Sequence, residues 1–349
     1  MLGYKFRDNI KRDIDETLVL NKLYAPNRDN LNDPTEMHFD DSEFISFLNR
    51  HHIYSKRVKE DYDSLLDFSR SKCGIFSLSK KVDNELLWAY YADGHKGFCI
   101  EYDLDIIMES YNYELIYKDG RFESMPLVYQ IEVTYQNSFP KFTRSIMDRC
   151  IETNDFTKLL ECTIGTKSEN WVKEDEVRLV FNKYGYTELD FRAVKGVYFG
   201  CRFNNSNGEI SRIMGLLKGR GIKYYKMKFE DNSYTLGYDS LIDEYSSSPN
   251  YLANNLPYND IVCTSVPEIT VPNQDLIEKA LKYVSQEPCI NKIKSSYISL
   301  SQKPMIAIET YTNSDFKLYP IKVFRFDLNL IDRTIKLRRF QKDLEHIST

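Results

Sequence analysis

Histidine is scarce in this sequence, with five among 349 residues and two of those adjacent at His51 and His52. That thins the serine-triad and zinc-hydrolase chemistries, which use imidazole as base or ligand, and no His-Glu-x-x-His or Gly-x-Ser-x-Gly string is present. The seven cysteines (73, 99, 150, 162, 201, 263 and 289) are scattered and form no Cys-x-x-Cys pair, so no zinc framework shows, and unpatterned thiols fit a reducing compartment. Neither Gly-x-Gly-x-x-Gly nor a phosphate-binding P-loop occurs; Gly165-Thr166-Lys167-Ser168 has Thr between Gly and Lys and no strand leading into it. No stretch approaches the roughly 18 apolar residues of a membrane span. The opening Met1-Leu2-Gly3-Tyr4-Lys5-Phe6-Arg7-Asp8 carries charge at once and has no apolar signal region, so a cytoplasmic location and no membrane partner are expected. There is no basic excess either. Forty-seven Lys and Arg against 52 Asp and Glu give a net charge of −5, which leaves room only for a local basic groove.

What is present is ordinary soluble-protein composition, 42% hydrophobic and 28% charged, which excludes a disordered or fibrous chain. The 26 Tyr and 20 Phe read as sheet-forming residues. Length suggests two domains. Phe44, Phe47 and Leu48 predict helix within 42–70, and helix also fills 143–165. Strands are expected at 75–78, 97–102, 127–135, 171–181 and 194–199, with Asn84 capping a short helix that carries Leu87 and Trp88. Ser206 and Glu209 form a capping box before the stripe Ile210, Ile213, Met214 and Leu217, and Gly219 ends that helix. With a strand at 222–229 this predicts a βαβ unit. A loop-rich run over 245–260 marks a boundary between a core domain at 1–240 and an extension or small second domain at 241–349, with a helix on Ile277, Ala280, Leu281 and Val284 and strands at 305–310 and 321–326. The expected fold is α+β: a mixed central sheet with flanking helices plus a smaller C-terminal α/β part. The basic tail Arg333, Lys336, Arg338, Arg339 and Lys342 is a solvated helix face or a partner contact.

Three constellations offer chemistry. At 88–102, a helix bearing Trp88 runs into the turn Asp93-Gly94-His95-Lys96 and then a strand, placing an imidazole and an ammonium at an element end. Trp171-x-x-Glu174-x-Glu176-x-Arg178 puts two carboxylates and a guanidinium on one face of the 171–181 strand. Such an array suits acid/base work, a metal, a cationic transition state, or plain cross-strand ion pairs. Tyr4-Lys5-Phe6-Arg7 and Asn32-Asp33-Pro34-Thr35-Glu36 are a terminal strand and a turn.

Taken in order, these stretches resemble the bacterial family called domain of unknown function 2971, over about residues 3–230, with Phe6 where Tyr is commoner. The family name carries no activity; the resemblance implies a bacterial cytoplasmic protein connected with antiviral defence or toxin-like systems. The motif order is also similar to that of ADP-ribosyltransferases. That similarity implies NAD as substrate, Glu176 as the ribose-binding catalytic carboxylate, and Glu174 as the acceptor-side carboxylate. Tyr4, Lys5 or Arg7 would then grip the dinucleotide, with Asn32, Asp33, Trp88, His95, Lys96 and Arg178 completing the binding surface and an unknown protein or nucleic acid as acceptor. A clear Ser-Thr-Ser-like middle strand is lacking, and Phe76-Ser77-Leu78-Ser79 is a loose substitute for it. Two other readings stay open. One is a Mg-dependent nuclease with Glu101, Glu174 and Glu176 on the ion and His95 or Lys96 nearby. The other is a non-enzymatic sensor or partner-binding protein.

Overall fold

A computed structural model of the chain describes residues 1–50, 55–112, 114–118, 121–124, 128–153, 157–249, 274–285, 290–299, 305–312 and 321–327. The strands in chain order are β1 (Leu2–Arg7), β2 (Lys22–Ala25), β3 (Gly74–Ser79), β4 (Phe98–Asp103), β5 (Glu114–Lys118), β6 (Arg121–Ser124), β7 (Val128–Glu132), β8 (Thr134–Gln136), β9 (Thr166–Ser168), β10 (Glu176–Phe181), β11 (Gly185–Glu188), β12 (Val194–Phe199), β13 (Lys223–Phe229), β14 (Leu236–Leu241), β15 (Ile290–Ser299), β16 (Met305–Thr312) and β17 (Ile321–Asp327). The helices are α1 (Ser42–Arg50), α2 (Ser55–Asp67), α3 (Glu85–Tyr91), α4 (Leu104–Asn112), α5 (Arg144–Thr153), α6 (Thr157–Thr163), α7 (Glu209–Leu216) and α8 (Gln274–Val284). The fold is α+β.

Two compact units divide the chain: Met1–Met108 with Pro126–Ile210 and Lys223–Ile242, and Glu109–Met125 with Ser211–Ile222 and Asp243–Thr349. In the first, eight strands form one sheet in the order β14-β13-β12-β4-β1-β3-β10-β7. Its pairs are antiparallel except β12 with β13, which are parallel and flank α7 in sequence, as a βαβ unit requires. The helix starts differently from expectation. Gly208 takes φ +69° just before Glu209, and Asn205 Oδ1 accepts from the Ile210 N–H at 2.8 Å, so Ser206 stays in the loop. Asn84 does cap α3, accepting from the Leu87 N–H. Phe44 and Leu48 of α1 are buried with Tyr62, Phe142, Met147 and Leu159; residues 51–54, between the two helices of the expected 42–70 stretch, lie outside the described residues.

The second unit holds a five-stranded sheet, β15-β16-β17-β5-β6, antiparallel throughout. Ala280, Leu281 and Val284 of α8 are buried with Ile298, Ile306 and Phe324, the apolar stripe expected there. This unit does not begin cleanly near 240, because β5 and β6 come from mid-chain. Most of the 245–260 run and the basic tail from Arg333 lie outside the described residues.

The site depends on one irregularity of the large sheet. β1 pairs with β4 along its whole length, from Leu2↔Asp103 to Arg7↔Phe98. It meets β3 at a single register pair, Tyr4↔Ser79, while β3 pairs with β10 from Ser79↔Glu176 to Gly74↔Phe181. Past Tyr4 the two central strands part, and a cleft opens between them.

Candidate active site in the parted sheet

The cleft measures about 420 Å³, a size suited to a small molecule. Lys5 and Arg7 line it from β1, Ser77 from β3, Tyr91 from α3, and Glu174 and Glu176 from either side of the start of β10. Because it enters the gap beside β1, side chains from both faces of that strand reach it.

Its floor is an ion cluster around Arg178, which is fully buried. The guanidinium Nη1 and Nη2 donate to the two oxygens of Glu36 at 2.8 and 2.7 Å. Nε and Nη2 also donate to Glu176 at 2.8 and 3.0 Å, and Nη1 donates to the Ile164 carbonyl. All five donors are thereby satisfied. The Asn32–Glu36 turn delivers Glu36. Asp33 Oδ1 accepts from the Thr35 backbone N–H at 2.8 Å and its hydroxyl at 2.7 Å, and the Glu36 N–H donates to the Asp33 carbonyl.

A second cation ties the carboxylates together. Lys167 Nζ lies 2.6 Å from Glu174, 3.3 Å from Glu36 and 3.5 Å from Glu176, and sits over the Trp171 ring. Burial disfavours its charge, but the three carboxylates more than offset that and push its pKa up. Glu176 shows the complementary effect. Burial draws its carboxyl upward, yet the charges of Arg178 and Lys167, with hydrogen bonds from Arg178 and Ser77, hold it at about 2. Its backbone N–H donates to the Tyr135 hydroxyl at 2.9 Å. Glu174 accepts from the Tyr91 hydroxyl at 2.7 Å; burial and that bond raise Tyr91 to about 12.

The opposite environment surrounds Lys5. Its Nζ donates to the Ser77 carbonyl at 2.6 Å, across the gap, and sits over the Phe76 ring at 5.1 Å. Desolvation, helped by the Arg7 charge, lowers it to about 7. Arg7 shares Asp13 with Arg12: Arg7 Nε lies 3.3 Å and Arg12 Nη2 lies 2.7 Å from that carboxylate.

Of the residues singled out in the sequence, Tyr4, Lys5, Arg7, Asn32, Glu174 and Glu176 line the cleft. Five others do not. Arg178 lies beneath it with every donor spent, so it cannot grip a ligand. Asp33 is buried in its turn. Trp88 is core, fully buried, its indole N–H donating to the Val82 carbonyl at 2.6 Å. His95 belongs to a left-handed turn with Asp93 and Gly94, its ring stacked on Trp88 and burial lowering its pKa. Lys96 is exposed and pairs with Asp93. The expected 171–181 strand also needs correcting. Glu169–Glu174 is a 3-10 turn, Asp175 takes φ +47°, and β10 starts only at Glu176. Glu174 and Glu176 therefore meet through Lys167 and not through strand alternation. Glu101 of the nuclease reading is elsewhere, accepting from the Tyr198 hydroxyl at 2.6 Å. Among the described residues no group of three or more His, Cys, Asp or Glu is placed to hold a metal ion. Sequence reasoning passed over Arg12, and quoted Lys167, Tyr91, Glu36, Ser77 and Ser79 only as parts of motifs.

The best-patterned stretch, 88–102, gives the cleft Tyr90 and Tyr91, and its Trp88 and Gly97 serve packing. A Cβ on Gly97 would lie 2.1 Å from the Arg7 carbonyl oxygen, and one on Gly200 would lie 2.1 Å from that of His95. Only glycine lets the α3–β4 turn seat against β1 and the end of β12. A family model described as "Protein of unknown function (DUF2971)" matches residues 87–179. Over those residues the chain resembles the DUF2971 family. The matched part includes most of α3, the turn, β4 and Glu174–Arg178; Tyr4–Arg7 and Asn32–Glu36 fall outside it. No curated protein and no solved structure matches the chain. No helix among the described residues is long and apolar enough to cross a membrane.

Proposed function

We propose that this DUF2971-like chain is an NAD-using enzyme of the ADP-ribosyltransferase or NAD glycohydrolase kind. One observation carries the reading. A carboxylate held ionised at any ordinary pH, Glu176, lines a small-molecule cleft that Lys5 and Arg7 also line. A fixed anion is a poor general acid but a good partner for positive charge developing on a ribose ring. The cations at the parted strands suit a pyrophosphate. As the bond from ribose C1 to the nicotinamide nitrogen breaks, the electron pair leaves with nicotinamide. The oxocarbenium-like ribose then faces Glu176. Water or an acceptor hydroxyl attacks C1, and its proton passes to Glu174, which already accepts hydrogen bonds from Tyr91 and Lys167. NAD consumption fits the bacterial defence or toxin-like setting that the sequence resemblance implies.

Incubation with NAD followed by mass spectrometry for nicotinamide tests this. Release by the wild-type chain, lost in Glu176→Gln at a temperature where circular dichroism shows that variant folded, is the expected result. No nicotinamide with or without cell extract, or full turnover by Glu176→Gln, overturns the reading.

A further inference from the structure

The two lysines of the cleft are held in opposite ways. Lys167 touches three carboxylates. Lys5 touches none: among the described residues the one hydrogen-bond partner of its Nζ is the Ser77 carbonyl, across from β1 where it and β3 cease to pair. The charged groups that face it are Arg7 on its own strand, Asp13 from the helical segment Lys11–Leu18, and Glu174 and Glu176 across the gap; Cys99 of β4 is a further titratable neighbour. The neighbouring cations are already engaged, Arg7 with Asp13 and Arg12 with Asp8 and Asp13.

We propose that Lys5 is the seat of the ligand's phosphoryl anion, and that the ligand binds together with a proton taken up by this amine. This rests on the anionic-substrate reading above and adds to it a pH-coupled binding step. In the free protein near pH 7 the amine is about half protonated, given its pKa of about 7. An anion in contact favours the ammonium and raises that pKa. Below pH 6 the amine is already charged and affinity is flat. Above pH 7 each unit of pH weakens binding by up to about tenfold, until the pKa of the complex is passed.

The probe is ADP-ribose, whose pyrophosphate diester does not titrate in this range. Calorimetric titration of the full chain in two buffers of different ionisation heat counts the protons. The expected result is uptake of about half a proton at pH 7 and close to none at pH 5.5. Lys5→Arg should bind without uptake, and Lys5→Met should bind at least about tenfold more weakly, each checked for folding by thermal unfolding. Uptake that survives in Lys5→Arg, binding with no uptake at pH 7, or no ADP-ribose binding at all overturns the proposal. Proton-coupled ADP-ribose binding by a chain that releases no nicotinamide would remove the proposed reaction and leave Lys5 as the anion seat.

Discussion

Replacing Glu36 by Gln tests whether the ion cluster holds the first unit together. The carboxylate accepts two hydrogen bonds from a guanidinium with no solvent access and lies 3.3 Å from Lys167. Glutamine offers one acceptor and turns an NH₂ group toward a group that only donates. Breaking a buried pair costs about 3–5 kcal/mol. Glu176 still pairs with Arg178, and removing one of three carboxylates leaves two cations facing two anions, so the lower end, about 3 kcal/mol, is expected. For a unit of roughly 200 residues that lowers the melting temperature by about 6–12 °C. Urea unfolding followed by tryptophan fluorescence isolates the effect, because both tryptophans, Trp88 and Trp171, belong to the first unit. A shift below about 1 kcal/mol would refute the reasoning, since that is the size of an exposed pair.

Acid should act on the same cluster. Glu176 has a pKa of about 2 when folded against an ordinary 4.5, so its stabilisation is complete above about pH 4.5 and drains away as the pH falls toward 2. Tryptophan-detected stability measured from pH 6 to 2 should drop over that window, and a flat profile contradicts the assignment. Gly97→Ala should destabilise by about 3 kcal/mol, the upper end for overpacking, because the added methyl meets backbone on two sides. Gly94→Ala, where a Cβ meets nothing, should cost only the left-handed strain of about 1–2 kcal/mol. Thermal unfolding of the two variants side by side checks the difference.

Much of the secondary structure was legible because it is local. Residues 194–199 are strand-like in sequence and form β12, and the α8 stripe packs as its spacing predicts. What escaped the sequence was phase and distance. Counting by twos through Glu174, Glu176 and Arg178 assumes an unbroken strand, but Asp175 in the left-handed region resets the count. Asn205 beat Ser206 to the cap because Gly208 bends the chain before the helix starts. Pairing of β5 with β17 spans about 200 residues and leaves no local trace. The same holds for the site. Glu36, Lys167 and Arg178 meet only in three dimensions, whereas the most recognisable stretch, Trp88 to Tyr102, holds a tight turn and a buried indole and gives the cleft Tyr91.

The single Tyr4–Ser79 register pair between β1 and β3 also has a mechanical meaning. The large sheet behaves as two panels sharing one stitch, β14-β13-β12-β4-β1 on one side and β3-β10-β7 on the other. Within each panel the ladders are continuous, so stress on the molecule concentrates at the seam. A ligand whose anion rests on Lys5 and whose sugar rests against Glu176 would span both panels, and its occupancy would set the stiffness of the sheet as well as the chemistry.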